Sequence, residues 1–147
     1  MTATSLSSET LHASCVVKNG KAILIAGRSG TGKSDLALRL IDRGAELVSD
    51  DYTIVRRIGG RLVAAAPPNI AGKIEVRGLG ILAFDSVPEA PVCLLVDLDA
   101  TVERLPEPSE LLKIAGVELP AIAIDALEAS APVKVELALE RLGLAIE

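Results

Sequence analysis

Apolar positions along the chain fall into short blocks of two different periods. Residues 12–18, His12-Ala13-Ser14-Cys15-Val16-Val17-Lys18, make one compact run, and residues 21–26, Lys21-Ala22-Ile23-Leu24-Ile25-Ala26, make another. Short runs of this kind predict strands, the second of them buried. Asn19-Gly20 stands between them as a two-residue hairpin signal, so the first strand folds back on the second. Over residues 34–43 the period changes. Leu36, Ala37, Leu40 and Ile41 share one face, while Asp35, Arg39, Asp42 and Arg43 lie mostly elsewhere, the spacing of an amphipathic helix. Gly44 supplies its stop.

A strand over residues 45–51 ends in Asp50-Asp51. Residues 52–57 and 61–65 form a hairpin through Gly59-Gly60, and Pro67-Pro68-Asn69 closes that unit. Residues 70–80 contain three glycines together with Glu75 and Arg77; two apart on a strand, these two side chains would share a face. Residues 91–98 predict a strongly apolar strand and 101–105 an extended segment, followed by a loop at Pro106-Glu107-Pro108. Residues 111–114 and 117–124, the latter containing Pro120, read as edge strands. Residues 132–142 predict a closing helix with Pro132 in its first turn. Residues 1–10 are expected to be a flexible tail and residues 11–147 one domain. Strands and hairpins with interspersed helices predict an α/β fold with a mixed sheet and flanking helices.

The 147-residue length suits a single domain, and half the residues are hydrophobic. Ala, Val, Ile and Leu supply most of that half, whereas Tyr52 and Phe84 are the only residues of the Phe, Tyr or Trp type. The core is therefore aliphatic, with little material on which to stack a base. A net charge of −5 argues against a broad nucleic-acid surface and against a polybasic membrane patch. Cys15 and Cys93 are too few and too far apart for a disulfide framework or a zinc site, and their apolar surroundings predict buried free thiols. No segment approaches the length of a membrane span. The N-terminus has neither a basic region nor a long apolar one, so it does not read as a signal peptide. A cytoplasmic setting is expected.

Candidate chemistry centres on Gly27-Arg28-Ser29-Gly30-Thr31-Gly32-Lys33-Ser34. This stretch fits the phosphate-binding pattern GxxxxGK[ST] at every fixed position, between a predicted strand and a predicted helix. Glycines let the backbone curl so that successive N–H groups face phosphate oxygens, and the positive end of the following helix adds to that field. Lys33 would reach the β- and γ-phosphates, and the Ser34 hydroxyl would ligate Mg²⁺. Such a P-loop needs a second acidic group. Asp50-Asp51 and Asp97 both follow apolar strands; the first pair is favoured because its strand follows the loop helix directly, and Asp97 reads as a strand-end residue. Of the adjacent pair, one can face the site and the other the opposite side. His12, the only histidine, sits near the level of the loop. Glu75 and Arg77 fit either an ion pair or a site role.

Four stretches together resemble the HPr kinase/phosphorylase family, specifically its catalytic domain. They are His12 with its hairpin into the glycine loop; GRSGTGKSDLAL; RGAELVSDD; and PPNIAGKIEVRGLGIL, the most specific of the four. The resemblance covers residues 12–82. It implies a phosphoenolpyruvate-carboxykinase-like core and ATP bound through residues 27–34. It also implies Mg²⁺ held by Ser34 and Glu75, and a serine of the phosphocarrier protein HPr as acceptor. Asp50 would be the general base, with Asp51 beside it; His12, Lys33, Arg77 and Arg104 would complete the site. Homo-oligomerisation is implied as well. Two departures stand out. Full-length members have a separate N-terminal domain, which this sequence lacks. The family's basic loop near the C-terminus, used for the reverse reaction, corresponds to residues 123–134, where Asp125, Glu128 and a single Lys134 leave no phosphate cradle. Kinase activity is therefore expected without the phosphorylase. Two other readings of the same loop are a small-molecule kinase, with Arg56, Arg57, Arg61 and Arg77 as clamps, and a nucleotide-gated regulatory module without turnover.

Overall fold

The computed structural model describes residues 7–106 and 111–146. Eleven strands and two α-helices follow the chain as β1 (Ser8–Leu11), β2 (Ala13–Lys18), β3 (Lys21–Ala26), α1 (Lys33–Asp42), β4 (Glu46–Ser49), β5 (Thr53–Ile58), β6 (Arg61–Ala65), β7 (Lys73–Val76), β8 (Gly80–Ala83), β9 (Glu89–Asp97), β10 (Leu111–Ile114), β11 (Val117–Ala123) and α2 (Ala131–Leu142). Nine strands form one mixed sheet with the path β1-β5-β6-β9-β3-β2-β4, and the β10–β11 hairpin joins it along β9. β7 and β8 make a separate two-stranded hairpin. β3 and β9 run parallel. β2 is antiparallel to both β3 and β4, so β4 runs parallel to β3 with one strand between them.

Both faces of the central strands are buried, which explains why they read as continuous apolar runs. Along β3 the side chains alternate: Ile23 and Ile25 pack with Leu36, Leu40, Val135 and Leu139 of the two helices. Ala22 and Leu24 pack on the opposite side with Cys15, Val55, Leu62 and Leu119, inside the curl of the sheet. The β2–β3 turn has φ of 53° at Asn19 and 79° at Gly20, the doubly positive backbone that a tight hairpin requires. α1 ends with Gly44 N–H donating to Ile41 O and Ala45 N–H to Leu40 O, both at 3.0 Å. This is the Schellman pattern, satisfying carbonyls that the helix leaves open.

Three expectations are corrected. The anticipated tail over residues 1–10 gives way at Ser8, because β1 pairs antiparallel with β5 from Ser8↔Arg56 to Leu11↔Thr53; residues 1–6 lie outside the described residues. The strand expected over residues 101–105 does not form: 101–106 are irregular and exposed and pair with no described strand. Glu75 and Arg77 do not share a strand face, because β7 ends at Val76 and Arg77 sits in the turn to β8. Glu107 and Pro108 of the expected loop lie outside the described residues. Among the described residues, no helix is long and apolar enough to cross a membrane.

Candidate active site

The parallel strands β3, β4 and β9 carry their carboxyl ends to one edge of the sheet, where ligands gather in α/β folds. β3 feeds the glycine loop, β4 runs into Asp50-Asp51, and β9 ends at Asp97. The loop enters α1 through Gly32, the N-cap, at φ 101°. A side chain there would be strained in that backbone, and its Cβ would stand 3.1 Å from Ala126 Cβ. Lys33 is 4% exposed. Its Nζ donates to the carbonyls of Gly27 at 2.9 Å and Arg28 at 3.2 Å and stands 3.9 Å from Asp51 Oδ1. The Thr31 hydroxyl donates to Arg28 O at 2.7 Å. Arg28, Ser29 and Gly30 form the exposed rim. Asp99 holds this rim, accepting from Arg28 N–H at 3.0 Å and from its Nε–H at 3.2 Å.

The two aspartates occupy different environments. Asp50 is buried. Its Oδ1 accepts from the hydroxyls of Ser34 at 2.5 Å and Ser14 at 3.0 Å, and its Oδ2 accepts from Glu75 N–H at 3.2 Å. Asp51 takes φ of 67°, a left-handed conformation that Asp tolerates better than most residues. That turn aims its half-exposed carboxylate at His12 Nε2, 2.9 Å away. The His12 ring also stacks on Tyr52, with ring centres 5.0 Å apart. Asp50 and Asp51 thus both reach the site, whereas a continuing strand would have sent one of them away.

Of the residues singled out from sequence, the structure gathers His12, Lys33, Ser34, Asp50 and Asp51 by direct contact, and the backbone of Glu75. The Glu75 and Arg77 side chains are exposed on the β7–β8 hairpin. Arg104 lies in the exposed irregular segment 101–106, and no described contact ties it to the site. Asp97 is the last residue of β9, and its Oδ1 accepts the N–H groups of Asp99 and Ala100 in the turn that follows, at 2.9 and 3.2 Å. The side-chain oxygens of Ser34 and Asp50 lie together here, while the Glu75 carboxylate stays exposed on its hairpin. The oxygen pair suits Mg²⁺, which takes one or two protein ligands and completes its shell with phosphates and water.

Sequence reasoning missed Ser14, Tyr52, Asp99 and Arg39. Ser14 is fully buried in β2, and its one local signal is a hydroxyl inside an apolar run. Arg39 donates from Nη1 to Glu128 O at 3.2 Å and from Nη2 to Ala126 O. It thereby clamps the segment after β11 against the glycine-loop helix.

A family model for the HPr Serine kinase C-terminal domain matches residues 4–139. The HPr kinase/phosphorylase of Clostridium beijerinckii is 36% identical over 126 residues, covering 78% of this chain and 42% of that protein. The Caldanaerobacter subterraneus HPr kinase/phosphorylase is 38% identical over 128 residues, with the same two coverages. The chain therefore spans well under half the length of these relatives. Among solved structures, the Hpr(Ser) kinase/phosphatase from Coxiella burnetii superposes with a TM-score of 0.78 at 28% identity, covering 90% of this chain and 94% of that one. A glycine loop facing a strand-end acidic pair and a histidine, with a family match along most of the sequence, leads to one assignment: the chain belongs to the HPr serine kinase C-terminal domain family.

Proposed function

We propose that this chain is a cytoplasmic ATP-dependent kinase that phosphorylates a serine of the phosphocarrier protein HPr. The observation that carries the reading is the 2.5 Å bond from the Ser34 hydroxyl to Asp50 Oδ1. It joins the end of the glycine loop to the carboxylate that follows β4, and a carboxylate that accepts from a hydroxyl there supports the reading of Asp50 as the proton acceptor. The names of the relatives and the residues of the resemblance point the same way.

In this reading the backbone of residues 27–34 and Lys33 hold the triphosphate. Ser34, with Glu75, would hold Mg²⁺, which neutralises charge on the β- and γ-phosphates when bound. Asp50 accepts the proton of the incoming serine hydroxyl as its oxygen bonds to the γ-phosphorus. The bond from that phosphorus to the β,γ-bridging oxygen breaks and ADP leaves. Asp51 and His12 brace one another beside Lys33, and Arg77 and Arg104 are assigned to phosphate contacts. Catalysis rests mainly on positioning and fixed charge.

The reverse, phosphate-removing reaction has little support in the chain. In the segment over residues 123–134, Lys134 is paired with Glu128 at 2.6 Å. The guanidinium of Arg39 is engaged by the Glu128 and Ala126 carbonyls and by Asp35. The test uses purified protein, Mg²⁺, γ-labelled ATP and HPr, with label expected as phosphoserine on HPr and lost in Lys33→Ala. Nucleotide binding without label on HPr would remove the substrate assignment. Incubation of phosphorylated HPr with inorganic phosphate is expected to leave the phosphoserine intact.

A further inference from the structure

We infer that Ser14 is the positioning residue that sets both aspartates of the acidic pair, a role that rests on the kinase reading above. The Ser14 side chain is completely buried and makes two bonds through one oxygen. It donates to Asp50 Oδ1 at 3.0 Å and accepts the backbone N–H of Asp51 at 3.0 Å. A hydroxyl has one proton and two lone pairs, so it can serve as donor and acceptor at once.

The backbone shows why such a group is required. β2 and β4 pair at Cys15↔Ser49, where β4 ends, so Asp50 already lies outside the ladder. Asp51 lies two residues past the end of β4 and turns the chain at φ 67°, and its N–H, outside the β2–β4 ladder, meets the Ser14 hydroxyl rather than a main-chain acceptor. A buried N–H without a partner is costly. The Ser14 hydroxyl takes the place of the missing carbonyl, and its own proton fixes the rotation of the Asp50 carboxylate. One oxygen thus couples the turn that aims Asp51 at His12 to the orientation of Asp50. Asp50 otherwise accepts from Ser34 and from Glu75 N–H. Ser34 is also the expected metal ligand, so Ser14 is the side-chain donor dedicated to this carboxylate.

The test compares wild type with Ser14→Ala and with Ser14→Cys, whose thiol keeps the shape but is a weak donor. Phosphoryl transfer to HPr is expected to fall about 10-fold or more in kcat in both, with the KM for ATP within about 2-fold. Adding Ser14→Ala to Asp50→Asn is expected to cost less than about 2-fold further, because the two residues act as one unit. Independently of turnover, the Asp51 amide is expected to exchange with solvent about 10-fold faster in Ser14→Ala, with the melting curve still cooperative. Unchanged kcat in both variants, or the same loss in the Asp50→Asn background, would overturn the inference. So would an Asp51 amide that stays protected. A wild-type protein that leaves HPr unlabelled instead refutes the substrate assignment, and the amide measurement then still decides whether Ser14 holds the turn.

Discussion

Replacing Asp50 and Asp51 one at a time by Asn separates structure from chemistry at the acidic pair. Asp50 receives three donors: two hydroxyls on Oδ1 and the Glu75 N–H on Oδ2. A carboxamide offers one oxygen and one NH₂. With its oxygen toward the hydroxyls, the NH₂ meets the Glu75 N–H donor to donor. Flipped, it turns the NH₂ toward the two hydroxyls, and the Ser14 O–H loses the oxygen it donates to. Either way one buried donor goes unmet, at a cost of about 1–3 kcal/mol, or roughly 2–12 °C in Tm for a chain of this size. Asp51 has a side chain 51% exposed, and an Asn there keeps an oxygen for His12, so its melting point is expected to move by less than about 2 °C. For chemistry the order is the same. Asp50→Asn is expected to slow phosphoryl transfer by about 10²-fold or more at unchanged nucleotide affinity, and Asp51→Asn by less than about 10-fold. Calorimetry and single-turnover transfer to HPr measure both effects. If Asp51→Asn loses more turnover than Asp50→Asn, the proton acceptor is Asp51 and the assignment is wrong. If Asp50→Asn melts like wild type, the three-donor account of its environment fails.

Gly32→Ala places a side chain at φ 101° and 3.1 Å from Ala126 Cβ; it is expected to destabilise by about 1–2 kcal/mol and to weaken nucleotide binding, read by calorimetric titration. Glu136 accepts from Arg43 at 2.8 Å and Lys18 at 2.9 Å, and the hydrogen bond from Arg43, opposed by burial and helped by Lys18, lowers its pKa. A lowered carboxylate pKa stabilises the fold above the unfolded value and is lost as pH falls through the folded one. Wild type should therefore exceed Glu136→Gln by about 1 kcal/mol at pH 7, and the gap in Tm should close as pH drops below about 4.3; a gap independent of pH would exclude the ion-pair account. Burial pushes the Cys15 thiol up, well beyond the ordinary thiol range, so native protein should resist alkylation at Cys15 until it unfolds. Rapid labelling at pH 8, followed by mass spectrometry, would contradict its burial.

Much of this site was legible because its elements are local. The glycine loop announces itself by its own spacing, and the strand before it and helix after it follow from the change of period at Ser34. Asp50-Asp51 closes an apolar strand, which also reads locally. What did not read was set by distant pairing. β1 finds its partner β5 more than 40 residues along the chain, so residues with no neighbour of their own looked like a tail. Ser14 meets Asp50 and Asp51 across 36 and 37 positions, and nothing beside it in sequence signals either bond. The left-handed turn at Asp51 broke the alternation rule on which the assignment of its face relied. Arg77 failed the same rule for the opposite reason, since its strand stops one residue earlier.

The unread contacts share one physical origin. β1 runs into β2 and β4 runs into β5, and the pairs face each other as a single antiparallel ribbon, in register at Leu11↔Thr53 on one side and at Cys15↔Ser49 on the other. Between those two pairs the ladder breaks, leaving His12, Ala13 and Ser14 opposite Asp50, Asp51 and Tyr52. This is the corner at which the sheet curls. Backbone groups freed by the bend need new partners, and side chains of the corner supply them: Thr53 Oγ donates to Ala13 O at 2.7 Å, and Ser14 takes the Asp51 N–H. The same bend turns His12, Asp50 and Asp51 outward from the ladder and toward the end of β3, where the glycine loop begins. Closing the sheet and assembling the acidic site are therefore one structural event. A change at Ser14 or Asp51 that relaxes the corner is therefore expected to damage phosphoryl transfer, whereas one at Ala13, which is buried in the core beside them, is expected to loosen the packing on β3 as well.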